Sequence, residues 1–195
     1  VYNGNGIALE ANDYSLSINS NGGDADEAYI TSLSTMLGEE LIGDERNIKI
    51  NIDYPDTPSG VEEVTIGPAS VSSIFNEIGI PLLDIDGITI ELVDAQSPSI
   101  ASIEPSDNSI GVPANSNIIL TFSETVFFNE NEITNDNASN CFKIENIETN
   151  ENLAFGLSNF DDIIFTLNPE NDFPEYTYIR VIIFSSIEDL NNNQF

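Results

Sequence analysis

The sequence predicts an all-β protein, two consecutive antiparallel β-sandwiches, from three observations. Apolar residues recur with a period of two, as in Ile48, Ile50 and Ile52 around Lys49 and Asn51. The apolar runs are strand-sized and are separated by clusters of Asn, Asp, Gly and Pro, the residues that turns demand. A sustained 3.6-residue repeat is missing, with room for one short turn over residues 69–76.

In chain order, Tyr14, Leu16 and Ile18 alternate with Ser15 and Ser17, and the Ile48–Ile52 strand follows. Val64 and Ile66 mark the next strand, then Ile88, Ile90 and Leu92 across Thr89 and Glu91. Farther on, Ile118, Leu120 and Phe122 alternate with Ile119 and Thr121, and Phe142 and Ile144 straddle Lys143. Leu153, Phe155 and Leu157 read as one strand, Ile163, Phe165 and Leu167 as another, and the last long strand is expected over residues 176–184. In that last strand Tyr176 and Tyr178 share a face and are expected in or near the core, as in the tyrosine corner of some sandwiches, the alternative being a binding stripe.

The stretch Asp94-Ala95-Gln96-Ser97-Pro98-Ser99 breaks the alternation, and its proline denies a ladder donor. It divides the chain into domains 1–96 and 97–195, each of ordinary domain size. The 195 residues include 34 acids and 4 bases, a formal charge of -30, with 40% hydrophobic residues, enough for packed cores. The charge is not segregated: 18 acids and 2 bases lie in residues 1–96, and 16 acids and 2 bases in residues 97–195.

That composition excludes much chemistry. Without histidine there is no Ser-His-Asp or Cys-His nucleophile and no histidine-ligated metal. The single cysteine, Cys141, permits no intrachain disulfide and reads as a small buried hydrophobe at a strand start. So much negative charge repels nucleic-acid phosphates and anionic lipid, and no apolar run is long enough for a membrane span. Residue 1 is a valine, so the chain is expected to be a processed product or part of something longer.

Residues 99–195 carry a set of motifs in a telling order. They open with Ile103-Glu104-Pro105-Ser106-Asp107-Asn108 and run on to Gly111-Val112-Pro113. Next come Ile118-Ile119-Leu120-Thr121-Phe122-Ser123-Glu124-Thr125-Val126, then Phe165-Thr166-Leu167-Asn168-Pro169, and finally Ile187-Glu188-Asp189-Leu190-Asn191-Asn192-Asn193. Together they resemble the bacterial Ig-like domains found in tandem in S-layer proteins, adhesins and other large surface proteins. In the last turn that family usually has glycine. Asn192 stands in for it here, because Asn tolerates positive φ better than most residues.

The first half resembles a related, more diverged module. Val1-Tyr2-Asn3 matches Val126 onward, Leu9 to Leu16 resembles the strand after the variable loop, and Ser73-Ile74-Phe75-Asn76-Glu77 sits where Ile187-Glu188-Asp189 sits later. On that matching the first module lacks its N-terminal strand or strands. Either the chain continues upstream, or a neighbouring domain or subunit inserts a strand into the gap.

Calcium is the one cofactor the carboxylates suggest. Glu124 and Asp189 form one candidate site if the resemblance holds for topology. The alternative is that Asp189 hydrogen-bonds its own turn. Asp84 and Asp86, with the linker residue Asp94, form a second candidate, although Asp84-Ile85-Asp86-Gly87 lacks the later ligands of an EF-hand loop. Paired carboxylates also serve glycosidases, but 34 acids make coincidental pairs inevitable, and no tryptophan offers a sugar platform.

The resemblance therefore implies a non-catalytic stalk or filament module of a secreted or cell-surface protein. Its partners would be neighbouring Ig-like domains. The alternatives are an adhesive module, with Tyr2–Ile7 or Phe127–Ile133 as contact loops, and an accessory region of an extracellular enzyme.

Overall fold

Alternating side chains settle into strands wherever the pleat can put one face against a second sheet. A computed structural model describes residues 1–83 and 87–195, and its regular structure is strands and short 3₁₀ turns. The fold is an all-β antiparallel sandwich. The chain divides into units Val1–Gln96 and Ser97–Phe195.

The first unit contains β1 (Tyr2–Asn3), β2 (Tyr14–Asn19), β3 (Tyr29–Ser34), β4 (Lys49–Asp53), β5 (Glu63–Pro68), β6 (Ile74–Phe75) and β7 (Ile88–Glu91). They form a β2-β5-β7 sheet, a β3-β4 hairpin and a β1-β6 ladder, all antiparallel. Along β2, half-buried Tyr14, Leu16 and Ile18 alternate with exposed Ser15, Ser17 and Asn19, as the period predicts. Residues 69–76 do not form a helix. One turn closes with the Ser73 N–H donating to Ser70 O at 3.1 Å, and the chain then enters β6. β7 forms where expected, but Ile88 and Ile90 are 67% and 46% exposed, so its alternation does not mark a buried face.

The second unit contains β8 (Ile100–Glu104), β9 (Ile118–Phe122), β10 (Phe127–Phe128), β11 (Phe142–Asn146), β12 (Glu151–Leu153), β13 (Phe155–Phe160), β14 (Ile164–Pro169), β15 (Ile179–Ile183) and β16 (Ile187–Glu188). A β13-β14-β9-β8 sheet accompanies a β12-β11-β15 sheet, and β10 pairs with β16. Ile118, Leu120 and Phe122 of β9 are buried, as are Phe142 and Ile144 of β11 and Phe165 and Leu167 of β14. Phe122 meets the Phe165 ring edge-on at 5.7 Å and the Phe195 ring at 5.7 Å, while Phe142 lies 5.5 Å from Phe165. These rings tie strands of both sheets into one core.

Two strand expectations need correction here. Leu153 and Phe155 do not share a strand: β12 ends at Leu153 in one sheet, and β13 begins at Phe155 in the other. The last long strand is only Ile179–Ile183. Tyr176 has φ +58° and is almost fully exposed, and Tyr178 is 71% exposed, so neither tyrosine belongs to the core. A left-handed residue cannot continue a pleated ladder.

The two units repeat one set of pairings. β1·β6, β2·β5 and β3·β4 in the first correspond, in chain order and direction, to β10·β16, β11·β15 and β13·β14 in the second. The register agrees as well: Tyr2 faces Phe75 as Phe127 faces Glu188, and Asn3 faces Ile74 as Phe128 faces Ile187. A 3₁₀ turn leads into β2 at Ala11–Asp13 and towards β11 at Ala138–Asn140. Just past the next ladder, the Ala69 N–H donates to Asp13 O at 2.9 Å, as the Phe184 N–H does to Cys141 O.

Candidate functional site

The turn after β16 is built around one carboxylate. Asp189 Oδ1 accepts the Asn191 and Asn193 N–H groups at 2.7 and 2.9 Å, and its Oδ2 accepts the Asn193 side-chain amide at 2.7 Å. Its backbone N–H donates to Asn193 O at 3.1 Å, and the Asn192 N–H returns to Asp189 O at 3.3 Å. Asn192 has φ +65°, the left-handed conformation expected of a glycine substitute. Asp189 is 3% exposed, so these donors replace the water it loses.

The antiparallel β10·β16 ladder carries the Ser123–Val126 segment past this turn. A carboxylate oxygen of Glu124 thereby lies within 4.8 Å of one of Asp189. Two Ca–O bonds of about 2.3–2.6 Å span that gap. Asp189 already accepts three hydrogen bonds and a carboxylate offers about four lone-pair sites, so it has capacity for one metal bond. The pair therefore fits a cation held by one oxygen from each residue. Phe127, Glu130, Asp189, Leu190 and Asn192 line a small cavity of about 230 Å³ beside it.

The same turn occurs in the first unit without the charge. Asn76 Oδ1 accepts the Ile78 and Ile80 N–H groups at 3.1 and 2.9 Å, the Asn76 N–H donates to Ile80 O, and the Gly79 N–H donates to Asn76 O. The Leu82 N–H donates to Ile74 O as the Phe195 N–H donates to Ile187 O, at 2.8 and 2.9 Å. Asn76 builds the turn with an amide. Closing the turn is thus the work of the side chain at this position, whether it is Asp189 or Asn76.

Asp94 belongs to the first unit, where its Oδ1 accepts the Gln96 N–H at 2.9 Å. Asp84 and Asp86 lie outside the described residues.

Two buried carboxylates gave no sequence signal. Glu62 is fully buried, and it accepts N–H bonds from Ala25, Ser59 and Val61 and the Ser59 hydroxyl at 3.0–3.2 Å. Burial alone would raise its pKa. The donors outweigh burial and hold it from an ordinary 4.5 down to about 2. Gly23 makes room for it, since a Cβ there would run into Glu62 Oε1. Glu145 is buried on β11, with Lys143 two residues back on its face and Arg180 directly opposite on β15. Lys143 Nζ reaches it at 2.5 Å and Arg180 Nε at 2.7 Å, and these bonds hold its pKa below the usual carboxylate range. Asn51 facing Ser32 and Arg180 facing Glu145 could be paired once register is known; period alone does not give register.

A groove of about 530 Å³ runs along β11 and β12, lined by Phe142, Ile144, Leu153 and Phe155. Its one ionisable lining residue, Lys143, is the one bonded to Glu145. Cys141 is buried, and burial pushes its thiol up to about 12, which leaves it protonated and unreactive. Asn137 uses its side chain locally: Oδ1 accepts the Thr134 N–H and Nδ2 donates to Glu132 O. Of the Phe127-Phe128 pair, Phe128 packs against the core, and Phe127 lines the small cavity. No helix among the described residues is long and apolar enough to cross a membrane.

Residues 94–195 match the family model described as bacterial Ig-like domain. No curated protein and no solved structure matches the chain.

Proposed function

The chain belongs to the bacterial Ig-like domain family, and on that premise we propose that it is a non-catalytic structural segment of a large secreted or cell-surface protein, in which two tandem modules act as stalk or filament. One observation carries this reading. The β1·β6 and β10·β16 ladders and the turns after them repeat residue for residue, at a constant offset between Ile74–Leu82 and Ile187–Phe195. A repeated scaffold whose buried carboxylates Glu62, Glu145 and Asp189 are satisfied by the chain's own donors suits load-bearing better than chemistry. The formal charge of -30 keeps such a segment soluble and repels non-specific contacts. In this reading calcium is the cation for the Glu124–Asp189 pair, where it stiffens the junction of β10 with the last turn.

Single-molecule stretching tests the reading. Two unfolding events are expected, each releasing on the order of 300 Å of contour for a unit of roughly a hundred residues. One event for the whole chain, or hydrolytic turnover of a polysaccharide by it, would count against the proposal. A second reading, adhesion, is favoured by Phe160, Tyr176 and Tyr178, which are 65%, 97% and 71% exposed. Aromatic faces of this kind suit sugar rings. Glycan-array signal lost in Tyr176→Ala would decide for adhesion.

A further inference from the structure

We propose that the open edge of β4 in the first unit takes up an antiparallel β-strand with the alternating apolar chemistry of β9, supplied by a segment joined to the chain at Val1. The inference rests on the two-module reading and adds the partner of the first module. In the second unit β14 pairs with β13 on one edge and with β9 on the other, in the register Phe165↔Leu120 and Leu167↔Ile118. The β14 counterpart in the first unit is β4, which among the described residues has β3 as its one ladder partner. A row of backbone donors and acceptors on such an edge templates another strand.

Burial shows the same deficit. Phe165 and Leu167 of β14 are fully buried, whereas Ile50 and Ile52 of β4 are only half-buried. The buried apolar set of the first unit is Leu9, Ala25, Val64, Pro68, Ile74 and Leu92 among the described residues, and it contains nothing from β3 or β4. In the second unit, β9 itself supplies Ile118, Leu120 and Phe122 to the core. The missing occupant is therefore a strand with bulky apolar residues at alternate positions, and uncharged or basic residues between them, since the surface is strongly acidic.

Connectivity selects the source. Four residues, Ser123–Val126, link the end of β9 to β10. Tyr2 occupies the place of Phe127 in the matching ladder, so a donor strand ending about four residues ahead of Tyr2 reaches the β4 edge without strain. So short a tether gives an effective concentration on the order of millimolar. Donation by a second copy would require pulling β9 out of its own sheet and emptying a formed core.

The test uses the chain Val1–Phe195 and a fusion that places the sequence of residues 116–123, followed by a two-residue linker, ahead of Val1, so that four residues separate the donor strand from Tyr2. Hydrogen exchange is read at the amides of residues 49–53 and, as an internal control, at the turn amides of Ile78, Gly79 and Ile80. The fusion is expected to slow exchange in β4 at least tenfold and to abolish uptake of the free 116–123 peptide. A fusion with serine at the positions of Ile118, Leu120 and Phe122 should do neither. Unchanged β4 exchange with protected turn amides overturns the strand proposal and leaves the module reading intact. Unprotected turn amides overturn both. β4 protection already present in the unfused chain overturns the proposal too, and its dependence on concentration then tells a second copy from a covering segment within the chain.

Discussion

Asn192 and Gly79 occupy the same position in two copies of one turn, with φ +65° and +76°. An L-residue other than Gly or Asn loses roughly 1–2 kcal/mol in this conformation. Asn192→Gly is therefore expected to leave stability unchanged or raise it by a few tenths of a kcal/mol. Asn192→Val should lower it by roughly 1–2 kcal/mol. Gly79→Val should do the same in the first unit, where no neighbouring atom crowds a Cβ and the strain is purely of the backbone. Urea melts followed by circular dichroism measure all three.

Asp189 and Asn76 make equivalent hydrogen bonds to the second and fourth N–H groups after them. That equivalence supplies a clean test of calcium. Asp189→Asn keeps the two backbone bonds that close the turn and removes the charge, at the cost of the bond from the Asn193 side-chain amide, so its melting temperature in chelator should fall only modestly below that of the parent. Calcium should raise the parent's melting temperature more than magnesium does, and Asp189→Asn and Glu124→Gln should both lose the difference. A calcium response that survives in both variants would place the ion elsewhere.

The depressed pKa of Glu62 makes stability depend on acid in a defined direction. Its folded-state value of about 2 lies below the ordinary 4.5, so its contribution is complete above pH 4.5 and disappears as pH falls through about 2. Protonation of the many surface carboxylates relieves repulsion over part of the same range and opposes the loss. The comparison must therefore be with Glu62→Gln, which retains the surface charge. The melting-temperature gap between parent and variant should be largest at neutral pH and should close between pH 4.5 and 2.

Strand positions were legible because a half-buried pleat imposes its period directly, and β2, β9 and β14 fall where alternation puts them. The Asn192 turn was legible because few residues accept positive φ. Burial was less so. Ile88 and Ile90 alternate as cleanly as Leu120 and Phe122 but lie exposed, because period reports a face and not what covers it. The break between β12 and β13 was hidden for a related reason: a strand that crosses between sheets keeps its apolar alternation through the bend. Of the candidate ligands, the closeness of Glu124 and Asp189 depended on the β10·β16 ladder, two residues long and too short to read. Glu62 was invisible, since its donor Ala25 comes from a distant loop and nothing in the residue types marks the nearby Ser59 and Val61 N–H groups as aimed at it.

The contrast between Phe122 and Ile50 yields a final prediction. Phe122 is 1% exposed and touches the rings of Phe142, Phe165 and Phe195, so Phe122→Ala removes a ring from a closed core. A loss of about 3–5 kcal/mol in the second unit is expected. Ile50 is only half-buried on a strand with one ladder partner among the described residues, and part of its surface is already in water. Ile50→Ala should therefore take roughly 1 kcal/mol from the first unit, well short of the cost at a closed core site. Denaturant titration of each variant, with hydrogen exchange to assign the transitions to units, measures both values. If a donor strand closes over β4, the Ile50→Ala loss should grow towards the core value in the fused chain, because the same methyl groups would then be removed from a dry interior.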